Sequence, residues 1–64
     1  METQRQIITV EVDGKAEFWT IGMEVMGPDN VLLEATHKGV SQDVLPVQVA
    51  TRAIRLWNQW MQQL

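Results

Sequence analysis

Apolar and polar residues alternate over residues 6–13, with Ile8, Val10 and Val12 on one side and Thr9, Glu11 and Asp13 on the other. That is the two-residue period of a half-buried strand. Asp13-Gly14 follows at once. This dipeptide readily takes the positive φ angles of a tight hairpin turn, so the next run, Ala16 to Met26, is expected to fold back on the first. In that run Trp19, Ile21, Met23 and Val25 share a face, and Phe18 and Met26 lie on the opposite one. Gly22, in mid-strand, marks a bulge or a close backbone approach that bends the strand. Gly27-Pro28-Asp29-Asn30 is a dense turn signal, because proline presets φ and Asp or Asn tolerates the left-handed region. Val31 to His37 then reads as a third strand with Val31, Leu33 and Ala35 inward and Leu32 outward, closed by Lys38-Gly39.

Val40 to Pro46 forms a connection. Proline disfavours a helical residue before it and suits the first helical position, which places a helix from about Pro46 to Gln63. Asp43 is positioned to cap a short preceding turn. Along the helix Ala50, Ile54, Trp57, Met61 and Leu64 recur three or four residues apart, flanked by Val49, Ala53, Leu56 and Trp60. This arc is broader than a coiled-coil seam. The expectation is that Ile54, Trp57 and Met61 define its centre, facing the sheet, with Trp60 toward the edge beside Leu56 and Val49. The pattern therefore predicts one α+β domain over residues 1–64, a three-stranded antiparallel meander packed against one C-terminal amphipathic helix, in the order β-β-β-α.

Length sharpens this picture. A chain of 64 residues buries only about 60% of the surface its unfolded form exposes. Small domains usually compensate with disulfides, a metal, oligomerisation or unusually good packing. There is no cysteine, and a zinc site would have to combine the single His37 with carboxylates, which leaves packing and oligomerisation. Three Trp and four Met supply bulky apolar surface for both. The net charge of −3 gives no steering toward a polyanion. No apolar run approaches the roughly 20 residues of a bilayer span, and Met1 to Gln6 lack the regions of a signal peptide, so a cytoplasmic location is expected.

Chemistry-bearing residues are sparse. His37 has no cysteine or tyrosine to work with, and no nucleophile–base motif surrounds it. Glu11, Glu17, Glu24 and Glu34 read as a solvated strand face. Gly22, Gly27 and Gly39 are spaced too widely for a phosphate-cradling loop. The expectation is a non-enzyme with no cofactor and no metal. A small acidic enzyme or ligand-binding subunit would need a deep pocket that so short a chain has little volume to build.

Two function classes follow. Trp57 and Trp60 are neighbours on the helix surface, and tryptophan is enriched at binding hot spots. The leading expectation is a non-catalytic protein-binding module, a regulator or inhibitor. Its candidate contacts are Trp60, Leu56 and Val49 on the helix edge and Phe18, Met26 and Leu32 on the far face of the sheet. A homodimer is its simplest assembly. The alternative is nucleic-acid binding through Arg52, Arg55 and Lys38. The β-β-β-α order, with Gly39 and Ser41 ahead of a helix carrying Ala50 and Ala53, resembles the later part of a double-stranded-RNA-binding domain over residues 17–64. That family's initial helix is replaced here by a strand, and Gln42-Asp43 stand where it typically carries basic residues, so the resemblance transfers no activity.

Overall fold

The computed structural model describes residues 2–64. Strands β1 (Glu2–Val12), β2 (Lys15–Gly27), β3 (Asn30–His37) and β4 (Val40–Ser41) are followed by helix α1 (Val47–Gln62). The strands form one antiparallel sheet in the order β1-β2-β3-β4, and the helix packs on one side of it. This is the expected α+β arrangement with a fourth, two-residue strand added.

The turns explain the meander. Asp13 and Gly14 both adopt positive φ, 51° and 79°, as a two-residue turn between right-twisted strands requires. Lys38 and Gly39 repeat the device at 54° and 78°. They reverse the chain so that Val40 pairs with His37 and Ser41 with Thr36, where the sequence pattern indicated only a connection. β1 also starts earlier than its apolar alternation, because Glu2 to Gln6 continue the ladder against Val25 to Ile21. A register shift between Val25 and Gly27 ends the regular part of β2.

The expected bulge at Gly22 is absent, since Gly22 sits in register between Arg5 and Glu34. A Cβ there would meet only the Gln4 carbonyl oxygen, at 3.8 Å. The close approach comes instead from the other side of the sheet, where the Trp57 indole Nε1 donates to the Gly22 carbonyl at 2.9 Å.

Pro46 is the N-cap of α1, one residue outside the position expected for it, and among the described residues the helix has no side-chain cap bond. The Ala50 N–H donates to the Pro46 carbonyl at 2.9 Å. The core consists of Ile8 and Val10 from β1, Trp19, Ile21 and Met23 from β2, Ala35 from β3, and Val49, Ala53 and Trp60 from α1. The helix is therefore rotated from the expected phase. Val49, Ala53 and Trp60 face the sheet, Trp57 and Leu56 are half-buried flanks, and Ile54 and Met61 point away from the core. Small residues at 49 and 53 let the helix approach closely. Trp57 gains from the flank because its N–H reaches a carbonyl there, whereas a central position would bury that donor among apolar side chains.

Candidate functional site

The rotation of α1 decides which surfaces are available. Val49 is fully buried, Trp60 is 8% exposed and Leu56 is half-buried. Val49 and Trp60 of the expected contact edge are thus part of the core and only Leu56 stays partly accessible beside them, a correction that follows directly from the helix phase.

In its place the other flank of α1 is open. The helix lies over β1 and β2. On one side of it Arg52 Nη1 reaches the Thr9 carbonyl of β1 at 3.5 Å. On the other, Trp57 reaches Gly22 of β2, so the flank carrying Ile54, Trp57 and Met61 turns toward β3. A helix with its side chains is about 10 Å wide and strands lie about 4.8 Å apart, so one helix covers two strands. The Ala35 end of β3 is closed differently: the Gln42 N–H donates to the Ala35 carbonyl at 2.9 Å, and Leu45 packs against the core. The remaining part of β3 is uncovered. Leu33 is 47% exposed on the helix side of the sheet, and on the flank of α1 turned toward β3 Ile54 is 52% and Met61 46% exposed. With half-buried Val31 and Trp57, they are the uncharged apolar side chains beside the open part of β3.

Sequence reasoning assigned Leu33, Ile54 and Met61 to the interior and so missed this apolar surface. Widths held the signal, since three full strands exceed the span of one helix.

The far face of the sheet is also exposed but is not one apolar patch. Ile7, Phe18, Met26 and Leu32 are all exposed. Phe18 pairs with Thr9 and Ile7 with Thr20, which makes Ile7 and Phe18 diagonal neighbours near the hairpin. Leu32 pairs with Glu24 at the opposite end. Phe18 and Met26 are separated by about 26 Å along β2, at roughly 3.3 Å per residue. Between them lies a polar dent of about 320 Å³ lined by Arg5, Thr20, Gly22, Glu34 and Thr36. The structure thus splits Phe18 from Met26 and Leu32 and adds Ile7 beside Phe18.

Polar side chains cluster at one more place. Trp19 Nε1 donates to Glu17 Oε1 at 3.0 Å, His37 Nε2 stands 4.0 Å from the same oxygen, and the Trp19 and His37 rings stack at 4.7 Å. Lys15, Phe18 and Lys38 border a shallow cavity beside this cluster. It contains no hydroxyl or thiol nucleophile, and its contacts tie β2 to β3 where the sheet's core begins. Among the described residues no group of three His, Asp or Glu side chains is placed to hold a metal ion. Arg52 and Arg55 lie on α1, where Arg52 reaches the Thr9 carbonyl of β1, and Lys38 lies in the β3–β4 turn beside Lys15.

No helix among the described residues is long and apolar enough to cross a membrane. No protein-family model matches the chain, and neither curated proteins nor solved structures gave a significant match.

Proposed function

We propose that this chain is a non-catalytic protein-binding module, acting as a regulator or inhibitor, that receives an amphipathic helix of a partner protein in the groove between α1 and β3. The observation that carries this reading is the half-covered helix side of the sheet, where Leu33, Ile54 and Met61 each remain about half exposed. Completing their burial would contribute about 1 kcal/mol each, since full burial of such a side chain is worth about 1.5–3 kcal/mol. The uncharged lining calls for an uncharged stripe on the partner, with apolar residues three and four apart.

A second copy of the chain does not fit this slot. With α1 of the second copy beside the first helix and facing the same way, the two sheets would overlap at β3. Turned over, that helix would set its polar side, Thr51, Arg55, Asn58 and Gln62, on Leu33. The occupant is therefore a different protein.

A photo-activated cross-linker at Leu33 tests the proposal in the source cell, with the same group at Leu32, on the far face of β3, as comparison. Cross-links from position 33 are expected to map onto helical segments with an apolar stripe. Cross-links confined to position 32, or mapping from position 33 to extended segments, would refute helix docking.

A further inference from the structure

β1 forms one margin of the sheet, with β2 on its inner side and, among the described residues, no strand on its outer side. The positive-φ turn at Asp13-Gly14 makes Val12 and Lys15 a hydrogen-bonded pair, and such pairs alternate along an antiparallel ladder. Even-numbered residues of β1 therefore direct their N–H and C=O groups to β2, while Thr3, Arg5, Ile7, Thr9 and Glu11 direct theirs outward. The Arg52 contact with the Thr9 carbonyl agrees with this parity and is the only side-chain hydrogen bond to that row among the described residues. Margins of this kind are usually blunted by proline, lysine, a bulge or shortness. β1 has eleven residues, contains neither proline nor lysine, and pairs with β2 without a register shift. The opposite margin is divided, because β4 is two residues long and pairs only with Thr36 and His37, so the Asn30–Glu34 part of β3 also has no outer strand among the described residues.

We propose that β1 pairs with β1 of a second copy, antiparallel about a two-fold axis, in the register that sets Ile8 opposite Ile8. Only registers that oppose outward residues to outward residues can form the ladder. Of these, the one centred on Ile8 places Arg5 directly opposite Glu11 of the second copy, and symmetry repeats the pair. Arg5–Glu11, Ile7–Thr9 and their symmetry mates would exchange about eight backbone hydrogen bonds. The exposed Ile7 and Phe18 of both copies then gather around the axis on the far face. On the other face the two helices, each over β1 and β2, come to lie about 10 Å apart, close to the 8–10 Å at which helices pack. Leu56, on the same side of the buried row as Arg52, lies between them. Arg52 releases the Thr9 carbonyl to the Ile7 N–H of the second copy, giving up a long 3.5 Å bond. This interface is on the opposite margin from the groove and stands independently of what the groove binds.

Charge exchange tests it. Arg5 and Glu11 are exposed in the single chain, so Arg5→Glu and Glu11→Arg leave the monomer folded, which circular dichroism of each variant checks. Sedimentation velocity is expected to show a concentration-dependent dimer for the natural chain and about tenfold or weaker association for either variant alone, since like charges would then face each other in both pairs. An equimolar mixture of the two variants restores both opposite-charge pairs and is expected to associate as the natural chain does. A natural chain that stays monomeric at the highest attainable concentration overturns the proposal. So do variants that associate undiminished, or a mixture that remains monomeric. None of these results bears on cross-linking from Leu33, so the two proposals fail separately.

Discussion

Trp60→Ala is the substitution that most directly tests the phase of α1. Trp60 is 8% exposed and closes the carboxyl-terminal half of the core, where the small Val49 and Ala53 of the preceding turns add little volume. Truncating a buried tryptophan to alanine costs about 3–5 kcal/mol, the lost transfer energy plus the cavity left behind. A chain of 64 residues has a total stability of about 3–10 kcal/mol at the usual per-residue value. The variant should therefore retain about 7 kcal/mol at most, and at the low end of that range it unfolds. Urea denaturation followed by far-ultraviolet circular dichroism is the suitable assay, because the signal does not depend on tryptophan. With a slope of about 1 kcal/mol per molar for so small a domain, the midpoint should fall by about 3 M or more, or the native baseline should vanish. Trp60→Phe keeps much of the volume and should fall between the two. A Trp60→Ala midpoint within 1 M of the natural chain, with Trp57→Ala causing the larger loss, would show that the Ile54–Trp57–Met61 face packs on the sheet and would refute the phase described here.

Trp57→Phe removes the indole N–H that reaches the Gly22 carbonyl while Gly22 stays paired in the sheet, so urea titration should show a loss of about 0.5–1.5 kcal/mol. Gly22→Ala should raise stability by about 0.5–1 kcal/mol in the same titration, because the added Cβ has ordinary space and an alanine in mid-strand loses less conformational freedom on folding. Gly39→Ala should cost about 1 kcal/mol and lower the thermal midpoint, since its φ of 78° strains any residue with a Cβ. Ile54→Gln should leave the isolated chain within about 0.5 kcal/mol of its natural stability, while reducing any cross-linking captured at Leu33.

Most of the sheet was legible in the sequence because its signals are local. Alternation placed Ile8, Val10, Trp19, Ile21, Met23 and Ala35 on one face, and all six are buried there. Asp13-Gly14 specified its turn. The phase of the helix was less legible, because its apolar arc is wider than the strip the sheet can cover, and both Ile54–Trp57–Met61 and Val49–Ala53–Trp60 follow helical spacing. Two non-local facts chose between them: close approach at Val49 and Ala53, and a carbonyl within reach of Trp57 only from the flank. The candidate surfaces inherited that ambiguity. Val49 and Trp60 moved inside, Leu33 and Met61 moved out, and Phe18 parted from Met26 and Leu32 because sharing a face of β2 does not bring residues eight positions apart together.

The two proposed interfaces have a geometric consequence when taken together. Pairing through β1 would put both helices near the two-fold axis and leave each groove over β3, on the outer side of its helix. Counting strands at about 4.8 Å, each groove would lie about 12 Å from the axis, so the pair would present two antiparallel grooves about 24 Å apart on one side of a continuous sheet. A partner carrying two suitable helices, or two copies of one, would then meet a rigid bivalent surface, and its second contact would form at an effective concentration far above that in solution. The asymmetry of the margins suits this arrangement. The long strand β1 is where a like chain can add over a full ladder without displacing anything except Arg52, whereas β4 caps the other margin only at Thr36 and His37 and leaves a shorter free stretch of β3.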